Sequence, residues 1–297
     1  MKFDNTTIRE ATQLFINNEQ SAISQYGNIN NWDVSNVTNM SYLFKCAFSF
    51  NQSINNWDVS NVTDMHGMFY HAKWFNASLD NWNVSNVIDM SFMFFCASSF
   101  NMSINNWDVS NVTDMSCMFF LCNSFNMSIN NWDVSNVTDM YGMFSYAKSF
   151  NISLDNWDVS NVISMYKMFS YTKSFNSSLN NWDISNVTNM SNMFFKAISF
   201  KQPINKWNVS KVSNFDNMFD NSVIGFGLLE YKLSNEQFFQ SPINKKICNE
   251  LFVWPRKKYY VMFLANYGYL SYNKEHNNIK PTIFDTIDIA KNIATYL

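Results

Sequence analysis

A tryptophan recurs every 25 residues along most of the chain, and no insertion or deletion separates neighbouring copies. These tryptophans are Trp32, Trp57, Trp82, Trp107, Trp132, Trp157, Trp182 and Trp207. The residues around each follow the pattern I-x-x-W-D-V-S-N-V-T-D-M-x-x-M-F-x-x-A-x-S-F-N. A fixed period of this length indicates one structural unit stacked on itself. The sequence therefore predicts an array that grows along one axis rather than a domain around one central core.

Each unit combines two hydrophobic spacings. Trp57 and Val59 flank the polar Asp58, as in a short strand with one buried face. Apolar residues within 65–72 then follow the spacing of one helix face. Each unit is therefore predicted to form a strand, a turn, a short helix and a return loop. The helix would begin after an Asn, Asp or Ser N-cap, at Asn39, Asp64, Asp89, Asp114, Asp139, Ser164, Asn189 and Asn214.

Stacking of such units predicts columns of like residues that run through the array. A strand and a helix this short cannot bury an apolar face alone, so neighbouring units must cover each other. The eight tryptophans are predicted to form a buried structural ladder. The phenylalanines from Phe50 to Phe200 would form a second column. Asparagines from Asn51 to Asn176 would pair from unit to unit and satisfy backbone groups, until Lys201 interrupts the series.

The repeat motif resembles the 25-residue surface-protein repeat of the BspA-like, mycoplasma-lipoprotein-like class, which is found in bacteria, protists and giant DNA viruses. The resemblance covers about residues 30–222. The abundance of Asn, Phe and Met is similar to the giant-virus type of member. The resemblance implies an α/β fold, a leucine-rich-repeat-like right-handed solenoid with a parallel sheet of short strands on one side and short helices on the other. It also implies a surface or interaction protein without catalysis.

Three segments are predicted from where the repeat begins and ends. Residues 1–29 form an N-terminal helical cap, and residues 30–224 form the eight repeats. Residues 225–297 form a C-terminal helical cap or a small helical module, with helical patterns in 234–239, 243–252, 255–266 and 285–296. Helical caps at both ends would cover the apolar core that the terminal repeats otherwise expose.

Composition limits the partners and the location. A net charge of −3 provides no basic surface for nucleic acid. No run of about 18 apolar residues predicts a membrane span, and the first residues do not resemble a signal peptide. We expect a cytoplasmic protein, in the host cytoplasm or the virion if the chain is viral. The five cysteines form no disulfide pattern and are expected to be free thiols.

The aspartates of the W-D-V-S motif form the main candidate chemical site. Asp58 and its counterparts would stack as a column of carboxylates, which is one way to bind calcium. Asn83 and Asn208 replace Asp in two repeats, so an Asx turn, which needs an acceptor and no charge, is the favoured role. A column repeated in every unit provides no unique catalytic pocket, and no nucleotide-binding or hydrolase motif is present. We expect no enzyme activity, cofactor or metal, while calcium binding stays open.

The helix-side positions vary from unit to unit and are rich in aromatic residues. Tyr and Phe are common in the centres of protein interfaces. The predicted contact residues for an unknown protein partner are Phe95, Phe120, Tyr146, Tyr171 and Phe195. The sequence therefore predicts a protein-interaction module, with self-association left open. The alternative is a structural or adhesive component of a surface or virion.

Overall fold

The computed structural model describes residues 2–225 and 234–240. Its helices are α1 (Thr7–Asn17), α2 (Glu19–Tyr26), a 3-10 helix (Ile29–Asn31) and α3 (Asn235–Gln240), with one further helical turn at 223–225. The eight repeats lie between 30 and 222, and we call each repeat, as it lies in the structure, a coil. Coil 1 contains Trp32, and coil 8 contains Trp207. The helices predicted after residue 240, and most of the predicted segment 225–297, lie outside the described residues.

The predicted α/β fold class, a leucine-rich-repeat-like right-handed solenoid with a sheet, helices on the other side and helical caps at both ends, is wrong. In residues 2–225 and 234–240 there is no sheet, and neighbouring coils are joined by single parallel bridges such as Asp64 to Asp89. The expected strand does not form because turns enclose it on both sides. The Trp57 amide donates to the Ile54 carbonyl (3.1 Å), and the Val62 amide donates to the Val59 carbonyl (2.9 Å).

The predicted helix at 65–72 is replaced by a chain of turns that bonds to the next coil. The Met68 amide donates to the Met65 carbonyl of its own coil at 3.1 Å. The next amide, of Phe69, donates instead to the Met93 carbonyl of the following coil at 2.8 Å. Because the amides alternate between these partners, the continuous i to i−4 bonding of an α-helix cannot form. The turns keep the apolar residues of the stretch inside while binding the coils together.

Two positions in this stretch of each coil have a left-handed backbone. Gly67 has φ of 55°, and a side chain there would overlap the Tyr42 ring of the coil before. Tyr42 itself has φ of 56°, a conformation that a bulky residue adopts only at a cost of about 1–3 kcal/mol. The same conformation recurs at His71, Phe92, Cys117, Leu121, Tyr146, Lys167, Tyr171, Asn192 and Lys196. The hydrogen bonds between coils offset this strain.

The residues that were predicted to be helix N-caps close turns instead. The Asp64 carboxylate accepts a hydrogen bond from the His66 amide at 2.9 Å, which closes an Asx turn rather than starting a helix. Asp89 does the same for the Ser91 amide at 2.8 Å. An acceptor two residues before its donor is the geometry of a turn. The residue type was therefore compatible with both structures, and the backbone adopted the turn.

Tryptophan rings form a buried column along the array. Trp107 is 4% exposed and stacks between Trp82 at 6.3 Å and Trp132 at 6.5 Å between ring centroids. From coil 2 onward, each indole N–H also donates to a carbonyl of the preceding coil, such as that of Trp57 to Ile29 (2.7 Å), whereas Trp32 donates to Gly27. The equivalent bonds are those of Trp82, Trp107, Trp132, Trp157, Trp182 and Trp207. The ladder residues thus join the coils by both ring stacking and a directional bond.

The asparagine series also bonds from coil to coil. The Asn101 amide donates to the Asn76 side-chain oxygen at 2.8 Å, and the same bond recurs at Asn126, Asn151 and Asn176. Lys201 was expected to interrupt the series. Its backbone amide nevertheless donates to the Asn176 side chain at 3.0 Å. The bond needs an acceptor on the earlier coil and only a backbone N–H on the later one, so Lys201 is tolerated as donor.

The N-terminal helices lie against coil 1. The Phe3 ring lies 5.0 Å from that of Trp32, and Phe15 packs edge-on against Phe50 at 6.1 Å. The Arg9 guanidinium donates to the Ser41 carbonyl at 2.6 Å. Helix α2 ends at Tyr26, and Gly27 is its C-cap. These contacts cover apolar and backbone groups that a preceding coil would otherwise cover.

At the other end, α3 packs against coil 8. The Phe239 ring lies nearly parallel to that of Trp207, at 6.4 Å and 11°. Phe238 is buried and meets Phe219 edge-on at 5.4 Å. Phe239 thus stands where the tryptophan of a further coil would stack. The Phe239 ring therefore continues the tryptophan column beyond the last repeat.

Candidate interaction surface

One row of aromatic side chains runs along the outside of the coils, and we call it the aromatic ridge. Its members are Tyr42, Tyr70, Phe95, Phe120, Tyr146, Tyr171 and Phe195. Tyr42 is 40% exposed, and the others are partly buried. The five predicted contact residues therefore lie on one continuous row. Their side chains are neither fully buried nor fully exposed to solvent.

Three neighbouring pairs of ridge rings are stacked, whereas Tyr42 with Tyr70 and Tyr171 with Phe195 meet edge-on. Tyr70 and Phe95 have centroids 4.7 Å apart and planes 5° from parallel, and Phe95 and Phe120 are 4.6 Å and 3° apart. Tyr146 and Tyr171 stack at 4.1 Å. Since neighbouring rings cover each other's faces, the stacked rings present mainly their edges to solvent. A ligand that lies flat on an open ring face, as a sugar ring does, is therefore poorly matched to these rings.

The ridge changes its position within the coil at coil 5. Phe120 occupies the position that Ser145 and Ser170 occupy in the next two coils, where the aromatic residue is the following one. Both serines are buried, and the Ser145 hydroxyl donates to the Ser170 carbonyl at 3.2 Å. The Phe120 and Tyr146 rings are consequently tilted by 54° at a separation of 5.6 Å. Phe195 returns to the Phe120 position in coil 7, and Tyr42 lies three residues before the position that corresponds to Tyr70. The ridge is therefore irregular along the array.

Lysine side chains lie over rings along the same side. The Lys45 ammonium lies 4.8 Å from the Tyr42 centroid, and that of Lys196 lies 4.8 Å from the Tyr171 centroid. Lys196 also donates to the Tyr171 hydroxyl at 3.1 Å, which lowers the pKa of that phenol. These cation–π contacts keep the charged groups at the ridge. The surface is therefore both aromatic and cationic.

Two exposed aromatic residues that the sequence interpretation missed extend this surface. Phe48 and Trp74 are each 57% exposed, and the Trp74 amide donates to the Phe48 carbonyl at 3.2 Å. Lys73 lies over the Trp74 ring at 4.9 Å. In other coils these two positions hold mainly Lys, Ser or Asn. That departure from the repeat pattern was the signal that would have identified them.

A separate, regular surface is formed by the Asx turns of the W-D-V-S motif. The Asp58 carboxylate accepts from the Ser60 amide (3.1 Å) and hydroxyl (2.6 Å). Asn83 accepts the same two bonds from Ser85 at 3.1 and 2.7 Å. Because the neutral side chain of Asn83 makes the same turn as the carboxylate of Asp58, the turn does not require a charge. In residues 2–225 and 234–240, no group of three or more His, Cys, Asp or Glu is arranged to hold a metal ion.

We expect Asp108→Asn to leave stability at neutral pH nearly unchanged and Asp108→Ala to cost about 1 kcal/mol, since only alanine removes the acceptor. Hydrogen bonds from Ser110 lower the pKa of Asp108. A lowered folded-state pKa stabilises above the unfolded-state pKa, and this contribution is lost as pH falls through the folded-state pKa. Urea titrations at pH 7 and below pH 4 should therefore show less acid sensitivity for Asp108→Asn. A calcium-dependent rise in melting temperature that only the wild type shows would contradict the turn role.

The cysteines of the described part are unpaired thiols. Cys117 and Cys122 are buried, Cys96 is partly buried, and Cys46 is exposed. Burial raises the pKa of Cys96 to about 11 and that of Cys117 to about 12. These two thiols are therefore protonated at neutral pH and are poor nucleophiles. The fifth cysteine, Cys248, lies outside the described residues.

Coils of equal length, joined by the same bonds and the same ring columns, define this chain as a repeat protein. The family model described as "Mycoplasma protein of unknown function, DUF285" matches residues 9–132, 79–180 and 113–224. The chain belongs to this family, as the mycoplasma-type repeat predicted. Searches of curated proteins and of solved structures found no match. None of the helices in the described part is long and apolar enough to cross a membrane.

Proposed function

We propose that this chain is a non-enzymatic repeat protein that acts as a protein-interaction module, and that the aromatic ridge is its contact surface. The observation that carries the proposal is the half-exposed row of Tyr and Phe rings flanked by lysines. Such residues are enriched at the centres of protein interfaces. Phe48 and Trp74 add exposed apolar area at the N-terminal end of the same surface.

The irregularity of the ridge supports recognition of one particular partner. Coils 1–8 repeat their interior residues closely, whereas the ridge positions differ from coil to coil and change offset between Phe120 and Tyr146. A surface that differs along its length can fix one binding register. A uniform surface binds equally well at every coil. The ridge therefore suits a partner of defined structure better than it suits a polymer.

The proposal is tested with Phe120→Ser/Tyr146→Ser, which removes two ring edges in the middle of the ridge. We expect folding to persist and cross-linking of a protein partner at Lys148 and Lys173 to fall at least tenfold. The matched control is Asn106→Ala/Asp108→Asn, on the regular surface. Far-UV circular dichroism and urea melts verify folding, and quantitative cross-linking in lysate of the source cells measures binding.

Two outcomes would contradict the assignment of the ridge. If the control variant loses the partner and the ridge variant keeps it, the contact surface is the regular one. If both variants keep all cross-linked partners, the ridge does not bind protein. Loss of cooperative unfolding in the ridge variant would identify these rings as core. The milder pair Phe120→Leu/Tyr146→Phe then tests binding in a folded chain.

The second candidate function is a structural or adhesive component of a surface or virion. The regular Asp, Ser and Asn surface favours it, because Asn111 and its counterparts repeat the same bond to the preceding coil along the array. Such a surface matches a repetitive neighbour. This second proposal includes that the chain is a giant-virus type of family member and that it is located in the virion. Quantitative proteomics of purified particles and of cytosol distinguishes the two functions.

A further inference from the structure

Charges are segregated between two stretches of each coil. We call residues 41–49 and their counterparts the ridge stretches, which are 41–49, 66–74, 91–99, 116–124, 141–149, 166–174 and 191–199. Every lysine between residues 30 and 199 lies in a ridge stretch, namely Lys45, Lys73, Lys148, Lys167, Lys173 and Lys196. All twelve aspartates of this range lie outside the ridge stretches, in what we call the turn stretches. The ridge stretches of this range therefore carry the positive charges and the turn stretches carry the negative ones, although Asp89 also contacts His66 of a ridge stretch.

Coil 8 reverses this arrangement on both surfaces. Its turn stretch contains Lys206 and Lys211 and no acidic residue, and its ridge stretch contains Asp216 and Asp220 and no lysine. All four side chains belong to exposed residues. The Lys206 and Lys211 ammonium groups donate to the neutral side chains of Asn181 and Asn186. Both surfaces thus change sign at the same coil.

These charges are not consumed by ion pairs inside the chain. Among the lysines of the ridge stretches and the aspartates of the eight coils, one ion contact is present, between Asp89 and His66 at 3.6 Å. The lysines of the ridge stretches lie over aromatic rings or in solvent instead, as Lys73 and Lys173 do. Unpaired charges of opposite sign on two surfaces are available to a partner. They also steer that partner electrostatically before contact.

We propose that the ridge binds the turn stretches of a second copy of this chain, with the two arrays side by side, parallel and in register. This inference rests on the proposed function of the ridge and names its partner. A second copy has the same distance from coil to coil, so every coil of one array meets a coil of the other. Aspartates of coils 1, 2, 5, 6 and 7 then face lysines, whereas the ridge stretches of coils 3 and 4 contain no lysine. In coil 8, Lys206 and Lys211 face Asp216 and Asp220.

The reversal in coil 8 selects this arrangement against the others. An antiparallel pair places Lys206 and Lys211 against Lys45, so like charges meet. A shift by one coil places them against Lys196 in the ridge stretch of coil 7. Like charges in contact are unfavourable and exclude wrong registers. Opposite charges therefore meet on both surfaces at once only when coils of the same number face each other.

The proposed interface joins two different surfaces, so it is heterologous. A pair leaves one ridge unused on one copy and one turn surface unused on the other. Further copies therefore add until a ring closes or a row forms. Exposed ion pairs are individually weak and are screened by salt. We therefore expect association that grows with concentration and that 0.5 M sodium chloride weakens at least tenfold relative to about 50 mM salt.

The first experiment is sedimentation velocity of the full chain over a concentration series, with two charge variants. The ridge variant is Lys45→Glu/Lys73→Glu/Lys148→Glu/Lys173→Glu. The turn variant is Asn86→Lys/Asn111→Lys/Asn136→Lys/Asn161→Lys, which copies the natural Lys211 at the equivalent position of coil 8. We expect each variant alone to be monomeric at concentrations where the wild type associates. Circular dichroism verifies that both remain folded.

Mixing the two variants tests that the interface is heterologous. The ridge variant retains a native turn surface, and the turn variant retains a native ridge. An equimolar mixture should therefore associate, although neither variant associates alone. A mixture that stays monomeric while both chains are folded overturns the pairing of ridge with turn surface.

Carbodiimide cross-linking of mixed ¹⁴N- and ¹⁵N-labelled wild type tests the register. It joins a lysine amine to a carboxylate with loss of water. We expect links between copies from Lys206 or Lys211 to Asp216 or Asp220. Cross-links between two copies that join coils whose numbers differ by two or more overturn the in-register arrangement. A wild type that is monomeric at every concentration and salt overturns the whole inference, and if it still captures another protein through the ridge, the proposed function remains.

Discussion

Trp107→Ala is expected to cost about 3–5 kcal/mol of the free energy of unfolding, the range for removal of a large buried aromatic side chain. The Trp107 ring is 4% exposed and lies between two tryptophans of the column. Its N–H donates to the Leu79 carbonyl at 3.2 Å, so alanine also leaves that buried acceptor without its partner. Urea-induced unfolding followed by circular dichroism measures the loss.

The control for this prediction is Trp107→Phe, which keeps a stacking ring and removes the N–H. We expect it to lose distinctly less than Trp107→Ala. A cost below about 1 kcal/mol for the alanine variant would contradict the buried ladder, because truncation of a core aromatic residue is far more destabilising. Equal losses for the two variants would assign the effect to the hydrogen bond rather than to the ring.

Deletion of residues 101–125 is expected to leave a folded array of seven coils. The residues after Phe100 and after Phe125 both begin Asn-Met-Ser-Ile, so the new junction has a native sequence. Every bond and ring contact between coils depends on the 25-residue step, and this deletion preserves the step. Cooperative unfolding should persist with a lower melting temperature, because one interface between coils is lost.

Deletion of residues 101–112, about half a coil, is the matched comparison. At the 25-residue step from Trp82, Phe94 and Phe100 it places Phe119, Asn131 and Val137. The Trp and Phe columns therefore cannot continue unchanged across the junction. We expect loss of cooperative unfolding in urea and of the near-ultraviolet tryptophan signal. If the shorter deletion is as stable as the longer one, contacts within single coils hold the fold, and the stacking explanation is wrong.

Interior positions were predictable because they depend only on the period. Trp57 and Phe75 recur at one phase in neighbouring coils, and burial follows for any structure that stacks equal repeats. The Asp58 turn was predictable for another reason. Asn83 stands at the same phase, and the exchange indicates an acceptor rather than a charge. Neither inference needed the correct local backbone.

The local backbone was not predictable from the same pattern. Apolar spacing within 65–72 fits an α-helix face, and it fits equally a series of turns that brings the same residues inside. The bond from the Phe69 amide to the Met93 carbonyl decided between them, and its acceptor belongs to the next coil. A hydrogen bond between residues 24 positions apart cannot be predicted from the spacing of apolar residues within one coil.

The sequence by itself determined the repeat length, the interior columns and the family to which the chain belongs. Those features follow from identical residues at a fixed step, which is visible without coordinates. Only the tertiary structure decided that the coils are built from turns and that the Tyr70 to Phe195 rings contact one another in a partly buried row. The physical reason is that stacking pairs each backbone and ring with a neighbouring coil, and those pairings outweigh the local preference for strand or helix.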